Sequence, residues 1–515
     1  MKPIGTTTTR TESAVAARPP RTGITMIGLS LIMLLAVLDQ TIVATSLPSI
    51  AADLHGLGQL SWVVNAYLLG VGLAAPLYGK LGDMYGRKPI IMIAVSLFTL
   101  ASAASGASQS MTELIVFRAI QGLGGGGLMN LTTAAVADLV PPSERGKVQG
   151  YTGAVFALGS IGGPLLGGLL TGSLGWRWVF YVNVPVALAG MVIVARYFRV
   201  PRKRTAGRLD WPGALLLAAA VTAVLLVTDW AGQQYAWGSW QIIALAAAAV
   251  LALAGFALVE SRAANPVIPP RLWRDPVFRV AIPSSGLLGV GLFGTVVFLP
   301  QFFQVVKHAS PIVSGALLAP TMFAAVVAGV FSAVRASATG NYRKYPIIGA
   351  LLLIAGFCML IGLSPDSSSW LTFVGTLLLG LGVGCQMQLM VLIVQNAVPA
   401  RDLGAATAST MLFRSIGGAV GTALFSTLLL RRFDARLHTI IPNATQATAG
   451  TIYHALVTGI GPGLGSAHEA IVRAFGQSVS VVFVWAIPFA VALLVLGVLL
   501  PGIPLRKTVQ DKEDS

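Results

Sequence analysis

Gly79-Lys80-Leu81-Gly82-Asp83-Met84-Tyr85-Gly86-Arg87-Lys88 is a short charged turn between two long apolar runs, residues 62–81 and 89–106. Each run is about the twenty residues that an α-helix needs to cross the hydrocarbon core of a bilayer. The turn therefore reads as a connection between two membrane-spanning helices, with its basic residues on the cytoplasmic side. Gly82 and Gly86 bracket Asp83, which suggests a tight turn presenting a carboxylate to a helix amino terminus. Tyr342-Arg343-Lys344-Tyr345-Pro346-Ile347-Ile348 enters a later apolar run much as Tyr85-Gly86-Arg87-Lys88-Pro89-Ile90-Ile91 enters residues 89–106. The chain thus looks internally duplicated, a common plan for transporters with a site between two halves.

Outward from that turn, hydropathy predicts fourteen spans. Six cover residues 23–47, 62–81, 89–106, 112–138, 146–170 and 179–197; two cover 212–230 and 239–260; six more cover 281–305, 311–333, 346–363, 371–398, 405–430 and 477–500. The expected organisation is a polar tail at 1–22, a six-helix bundle at 23–197, and a linker at 198–278 that carries the inserted pair. A second six-helix bundle follows at 279–500, with a long outer loop at 431–476, and then a tail at 501–515. That loop is too polar and glycine-rich to span, and residues 453–460 suit a short surface helix. The fold class is all-α: two six-helix bundles plus two inserted helices, both termini cytoplasmic.

Composition removes most other classes. Of 515 residues, 55% are hydrophobic and only 10% charged, against roughly 25% charged in soluble domains. The net charge of +16 does not point to nucleic acid, because the lysines and arginines lie in short segments between spans, where the positive-inside rule puts them. Arg196, Arg199, Arg202, Lys203, Arg204 and Arg208 form the densest cluster. Trp62, Trp176, Trp178, Trp230, Trp237, Trp240 and Trp370 fall at outer edges of spans, as interfacial aromatics do. Cys358 and Cys385 lie within apolar spans, so neither a disulfide nor a metal site is indicated. No phosphate-binding Gly-x4-Gly-Lys-Ser/Thr spacing occurs, and no loop gathers a nucleophile, base and acid, so an enzyme is not expected.

Asp39 stands inside the first span. A carboxylate at that depth costs roughly 2.5–3.5 kcal/mol on insertion scales, so it rarely persists without a proton or ion role. Arg118 in span four lies at nearly the same depth, at 1.5 Å per residue. The two could pair, or separate and let the acid take up a proton. Repeated glycines in span five allow close helix approach, and Pro164 beside Gly163 kinks the helix. Flexible methionines, aromatics and amides suit amphipathic ligands without demanding one shape. Residues of this kind, candidates for contact with such a ligand, are Phe298, Gln301 and Phe302 in span nine and Gln386, Met387 and Met390 in span twelve, with Asn65 and Gln121 from the first half. Arg414 has no carboxylate at its depth and reads as a candidate contact for an anion or a carbonyl. With Asp39 as the only deep acid, the pocket is expected to favour neutral or singly cationic amphipaths over dications.

These stretches resemble the major facilitator superfamily. Residues 79–88 are similar to its loop motif Gly-x-Leu-x-Asp-x-x-Gly-Arg-Lys at every defined position. Arg118-Ala119-Ile120-Gln121-Gly122-Leu123-Gly124-Gly125-Gly126 resembles its span-four motif, whose arginine is linked to proton transfer. Gly150, Gly159, Gly163-Pro164 and Gly167-Gly168 fit its antiporter motif. Leu38-Asp39-x-Thr41, Pro48, the run Trp176-Arg177-Trp178 to Pro185, and Phe413-Arg414-Ser415-Ile416-Gly417-Gly418-Ala419-Val420-Gly421 resemble the fourteen-span drug:proton antiporter branch. Two features depart from it: residues 334–345 lack the acid and first glycine of the loop motif, and residues 313–333 lack the acid that some dication exporters carry.

The resemblance implies proton-coupled export of amphipathic drugs or antibiotics across a prokaryotic cytoplasmic membrane. Asp39 would be the proton carrier and Arg118 its modulator. Asp83 and Arg87 would form a cytoplasmic gate, with Arg145 as ionic neighbour and Gly163 and Pro164 as a bendable seam. Expected partners are the amphipathic substrate, protons and the lipid bilayer, with no cofactor and no nucleic acid; a monomer is expected. The alternatives are a dedicated exporter of one endogenous metabolite and a transporter-derived receptor.

Overall fold

The computed structural model describes residues 22–54, 59–140, 145–199, 210–231, 235–263, 266–309, 311–364, 367–441, 452–453, 456 and 468–502. The expected tails fall almost wholly outside them. The helices are α1 Thr22–Asp53, α2 Leu60–Tyr85, α3 Arg87–Ala107, α4 Met111–Leu139, α5 Arg145–Ser173, α6 Trp178–Tyr181, α7 Asn183–Tyr197, α8 Trp211–Trp230, α9 Trp240–Arg262, α10 Pro276–Val306, α11 Pro311–Thr339, α12 Lys344–Leu360, α13 Ser369–Ala397, α14 Leu403–Ile440 and α15 His468–Leu499. Among the described residues, twelve segments are long and apolar enough to cross a membrane, one of them Trp178–Tyr197, which joins α6 and α7. Helix α4, diluted by Glu113, Arg118 and Asp138, and helix α12, 17 residues long, occupy expected spans four and eleven. The fourteen expected spans each have a helix.

Local chemistry sets where these helices begin. Ser110 accepts from the Glu113 amide and Glu113 accepts in return from the Gln109 amide, which closes the start of α4. Asp210 caps α8 through the Gly213 amide, and Asp275 caps α10 through the amides of Val277 and Phe278. Pro276 at the first position of α10 donates no amide, and none is needed there. Between α2 and α3 the chain turns on Gly86 alone, at φ 91°, a conformation other residues rarely adopt.

The packing repeats itself. In the first half α4 lies against α2 and α3, and α1 against α5 and α7; in the second half α13 lies against α11 and α12, and α14 against α10. Glycines permit the equivalent approaches: Gly122 and Gly126 press on the α2 backbone at Tyr67 and Val71, as Gly380 and Gly384 press on the α11 backbone at Thr321 and Ala325. The halves meet along α2–α14 and α5–α11, which pairs the second helix of each half with the fifth of the other. That is the contact pattern of a two-fold arrangement, and it matches the duplication read from the two loops. The inserted helices pack on each other, α8 also leans on α2 and α14, and α9 exposes Ile243, Val250, Leu251 and Leu258, the surface of a helix facing lipid.

Two local expectations change. Helix α14 runs ten residues past the expected span, to Ile440, because Phe433 and Leu437 bury one face of the extension and Phe433 meets Phe475 edge-on at 5.9 Å. The outer loop is correspondingly shorter; of the expected surface helix at 453–460, Tyr453 and Leu456 are helical and the rest lies outside the described residues. Trp176 lies between α5 and α6, at a span edge, but is only 5% exposed. Its indole donates to Asp53 at 2.9 Å beside the Arg177–Asp53 ion pair of 2.6 Å, so it fastens the end of α1.

A side chain at Gly384 would drive into the Ala325 backbone, whereas Gly162 in α5 has open space around it. Gly384→Val is therefore expected to cost roughly 3 kcal/mol or more and to lower the melting temperature of the purified protein by several degrees. Gly162→Ala should leave that temperature unchanged or raise it slightly. An unchanged melting temperature for Gly384→Val would refute the close approach of α13 to α11.

Candidate functional site

Asp39 and Arg118 come together as an ion pair sealed inside the first half. Arg118 Nη1 donates to Asp39 Oδ2 at 2.7 Å, and the side chains are 1% and 0% exposed. The pair is part of a larger cluster. Gln121 Nε2 donates to Asp39 Oδ1 at 2.8 Å, and Asn183 Nδ2 donates to the same oxygen at 3.0 Å. Arg118 Nη1 also reaches Gln121 Oε1 at 3.0 Å, and its Nε donates to the Val63 carbonyl at 3.2 Å. Asn183 donates onward to Ser102 Oγ, which donates to the Phe180 carbonyl. The guanidinium lies 4.2 Å from the Tyr67 ring centroid and 5.8 Å from that of Phe180, close enough for cation–π attraction.

The direction in which Asp39 points is the main surprise. Its partners lie on α4 and α7 and, through Asn183, on α3, all helices of the first half. The carboxylate therefore faces the interior of its own bundle and not the second half. Every lone-pair direction in use is met by a donor, which makes a buried charge tolerable. As a counter-charge for cationic cargo, the role the sequence led us to expect, the carboxylate is sealed off.

A second cluster joins the halves at the end bearing residues 79–88. Asp83 Oδ1 accepts from the Gly404 amide at 3.1 Å and Oδ2 accepts from the Ala405 amide at 3.0 Å. These amides belong to the first turn of α14, where backbone donors have no partner in their own helix, and the positive end of the helix favours a carboxylate. Asp402, the residue preceding α14, is turned away to Arg271 at 2.8 and 3.0 Å, so Asp83 of α2 supplies the cap instead. Arg87 then bridges Asp83 at 2.6 Å and Asp138, at the end of α4, at 2.9 Å. The expected partner Arg145 opens α5, but its side chain lies outside the described residues. Sequence reasoning missed Asp138, whose signal was an acid ending span four within reach of the basic turn.

Gly163 sits so close to Thr41 that a Cβ there would overlap the hydroxyl; Thr41 donates to the Gly159 carbonyl at 3.1 Å, and Ser46 and Thr171 exchange a hydrogen bond of 2.7 Å. The glycine-rich face of α5 is thus a seam with α1. The side chain of Pro164 lies outside the described residues. Nearer its start, α5 places Gly153 close to Gln388 of α13, across the boundary between the halves.

The expected cavity residues divide. Phe298 and Phe302 are wholly buried in the core of the second half. Gln386 is buried with its stem against Gly349 of α12, and Met390 is buried among α8, α10 and α14. These four pack within the bundle. Gln121 belongs to the Asp39 cluster. Gln301 accepts from the Tyr453 hydroxyl at 3.0 Å. Asn65, Met387 and Arg414 are half-buried. Asn183 and Ser102 were not anticipated; two polar side chains in apolar runs were the available signal.

A profile of the Major Facilitator Superfamily matches residues 29–422. An uncharacterized MFS-type transporter of Mycobacterium tuberculosis is 35% identical over 496 residues, 96% of this chain and 72% of that one. Multidrug resistance protein 3 of Bacillus subtilis is 34% identical over 423 residues, 82% of each chain. Among solved structures, the human organic anion transporter MFSD10 superimposes with a TM-score of 0.59 at 16% identity, covering 92% of this chain and 100% of that one; at that identity the likeness concerns the fold.

The contact of Asp83 with α14 can be tested by loosening it. Asp83→Asn removes a charge–dipole attraction of about 1–2 kcal/mol, enough to shift an opening equilibrium about tenfold. In a background without Cys358 and Cys385, a cysteine replacing Gln388 should then react several-fold faster with a membrane-impermeant maleimide applied from the residue 79–88 side. Unchanged labelling would show that Asp83 does not hold this end shut.

Proposed function

The chain belongs to the major facilitator superfamily and is a multi-pass membrane transporter; we propose that it is a proton-coupled exporter of amphipathic compounds, working by alternating access. The observation that carries this reading is the Asp39–Arg118 pair. A membrane-embedded carboxylate whose partner is a flexible arginine can exist in two states of similar cost. In one, the carboxylate is ionised and held by Arg118, Gln121 and Asn183. In the other, it is protonated and neutral, and the arginine is released to other acceptors, for which the Val63 carbonyl and the Tyr67 ring are already in contact. Proton uptake thus loosens a cluster that ties α1 to α4 and α7, and α1 is in turn seamed to α5 through Thr41 and Gly163. A change at Asp39 therefore reaches the helix that borders the second half.

Asp83, Arg87 and Asp138 are the proposed latch at the opposite end of this linkage. While Asp83 caps α14, the residue 79–88 end stays closed. The basic residues around that end support placing it, and both termini, in the cytoplasm of a prokaryotic cell. The named multidrug relative supports drug-like amphipathic cargo.

The test must separate coupling from folding. Asp39→Asn alone would strand a buried guanidinium, a change that typically costs about 3–5 kcal/mol. The double variant Asp39→Asn, Arg118→Gln replaces the pair with two neutral amides and is the cleaner probe. In proteoliposomes it should still exchange substrate down a concentration gradient but fail to accumulate it against one when a pH gradient is imposed. Gradient-driven accumulation at the native level by the double variant would sink the assignment.

A further inference from the structure

Arg414 is the charged residue that the proton and latch clusters leave unused. It lies roughly 16 Å along α14 from Leu403, well inside the membrane-spanning part. It is half-buried. Its guanidinium has no hydrogen-bond or ion-pair partner among the described residues, and its nitrogens are not sealed in packing. Arg118, which lies roughly 15 Å further from the residue 79–88 end in the other half, is held by a carboxylate, an amide and a carbonyl. The described acids of the second half lie near helix ends: Asp275 and Asp402 at the starts of α10 and α14, Asp434 in the outer extension of α14 and Glu469 at the start of α15. None is near the depth of Arg414.

The helix contacts fix where this side chain points. Gly417 and Gly421 meet α10 at Gly286 and Val290, and Gly404 meets α2 at Gly79, with Ala408 on the same face. At about 100° per residue, Arg414 falls on the arc of α14 between the face that meets α10 and the face that meets α2. Val420, exposed, marks the opposite, lipid-facing arc. The turn itself is rigidly placed, since Gly289 packs directly on the Arg414 carbonyl and Gly417 on the Gly286 backbone. A guanidinium at membrane depth without a partner is expensive, so its retention calls for a ligand that supplies the missing acceptor. A carboxylate matches the guanidinium fork with two parallel hydrogen bonds. The Asp39–Arg118 pair is neutral as a unit, which leaves Arg414 as the uncompensated charge among the described residues well inside the spans.

We propose that Arg414 is the binding residue for an anionic head group, a carboxylate, on the amphipathic cargo, so that the cavity favours monoanionic over cationic amphipaths. This reverses the charge preference expected when Asp39 was the only deep charge considered, and it rests on the exporter reading above.

Binding to the purified full chain tests it directly. Three probes share one naphthyl-alkyl scaffold and end in a carboxylate, a carboxamide or a trimethylammonium. The carboxylate is expected to bind about tenfold more tightly than the carboxamide, and the trimethylammonium most weakly. Arg414→Gln should abolish the preference of the carboxylate over the carboxamide, with a far smaller loss for the carboxamide, and Arg414→Lys should keep part of the preference. Equal binding of the three probes, a preference for the cation, or an equal loss for all three in Arg414→Gln would overturn the proposal. If Arg414→Gln does not fold, the ranking by the native protein decides. Counterflow of the same probes in proteoliposomes tests export separately: a protein that binds the carboxylate selectively but moves no probe would refute the exporter reading and leave the site standing.

Discussion

A charge inside hydrocarbon must be neutralised or given hydrogen bonds, and the first half of this protein is arranged around meeting that demand for one carboxylate and one guanidinium. The acceptors and donors come from several helices: Asp39 from α1, Arg118 and Gln121 from α4, Asn183 from α7, and the Val63 carbonyl from α2. Ser102 of α3 completes the chain of bonds. In water such a network would contribute little, because each group could turn to solvent. In a sealed, low-dielectric interior, removing any member leaves another unsatisfied, so the cluster binds five helices into a unit whose geometry depends on the ionisation of a single side chain.

The contact between the halves uses a different physical resource, the unpaired amides at the start of a helix. Asp83 meets two of them on α14, and Arg87 ties the same carboxylate to Asp138 on α4. In the proposed latch this contact is strong enough to favour one closed arrangement and weak enough to break. The equivalent loop of the second half has no such acid. There the Tyr342 hydroxyl donates to the Pro501 carbonyl at 2.6 Å, and Tyr342 and Tyr345 are buried among Val277, Ala336 and Leu389. One half carries the proposed ionic latch and the other is simply packed. The duplication has thus been kept in the helix contacts and abandoned in the charges.

The same asymmetry separates the two membrane-depth arginines. Arg118 is satisfied by its own bundle and belongs to the proposed coupling machinery. Arg414 is unpartnered among the described residues, on a turn of α14 that close glycine contacts hold against α10. Well inside the spans, the described residues of the first half are neutral as an ion pair and those of the second carry one cation, which is the electrostatic setting that the proposed amphipathic cargo would meet.

Much of the fold was legible in the sequence because crossing a bilayer is a local property of length and hydropathy, and each of the fourteen apolar runs has its helix. The turn at Gly86 is local as well, written in neighbouring residues, and the duplication shows as the likeness of two short loops. The pairing of Asp39 with Arg118 was readable from depth alone, since few groups at that level could neutralise either. Which way each side chain turns was not readable. A helix that is apolar on every face, as these are, carries no amphipathic stripe to mark its inner side, so Phe298, Phe302, Gln386 and Met390 could be assigned to a span but not to a cavity or a core. The same gap hid Asn183, Ser102 and Asp138, which lie far along the chain from the residues they bond. Only the packing of helices across tens of residues, permitted where glycines let backbones touch, decided that Asp39 faces its own bundle and that Arg414 lies between the faces of α14 that meet α10 and α2.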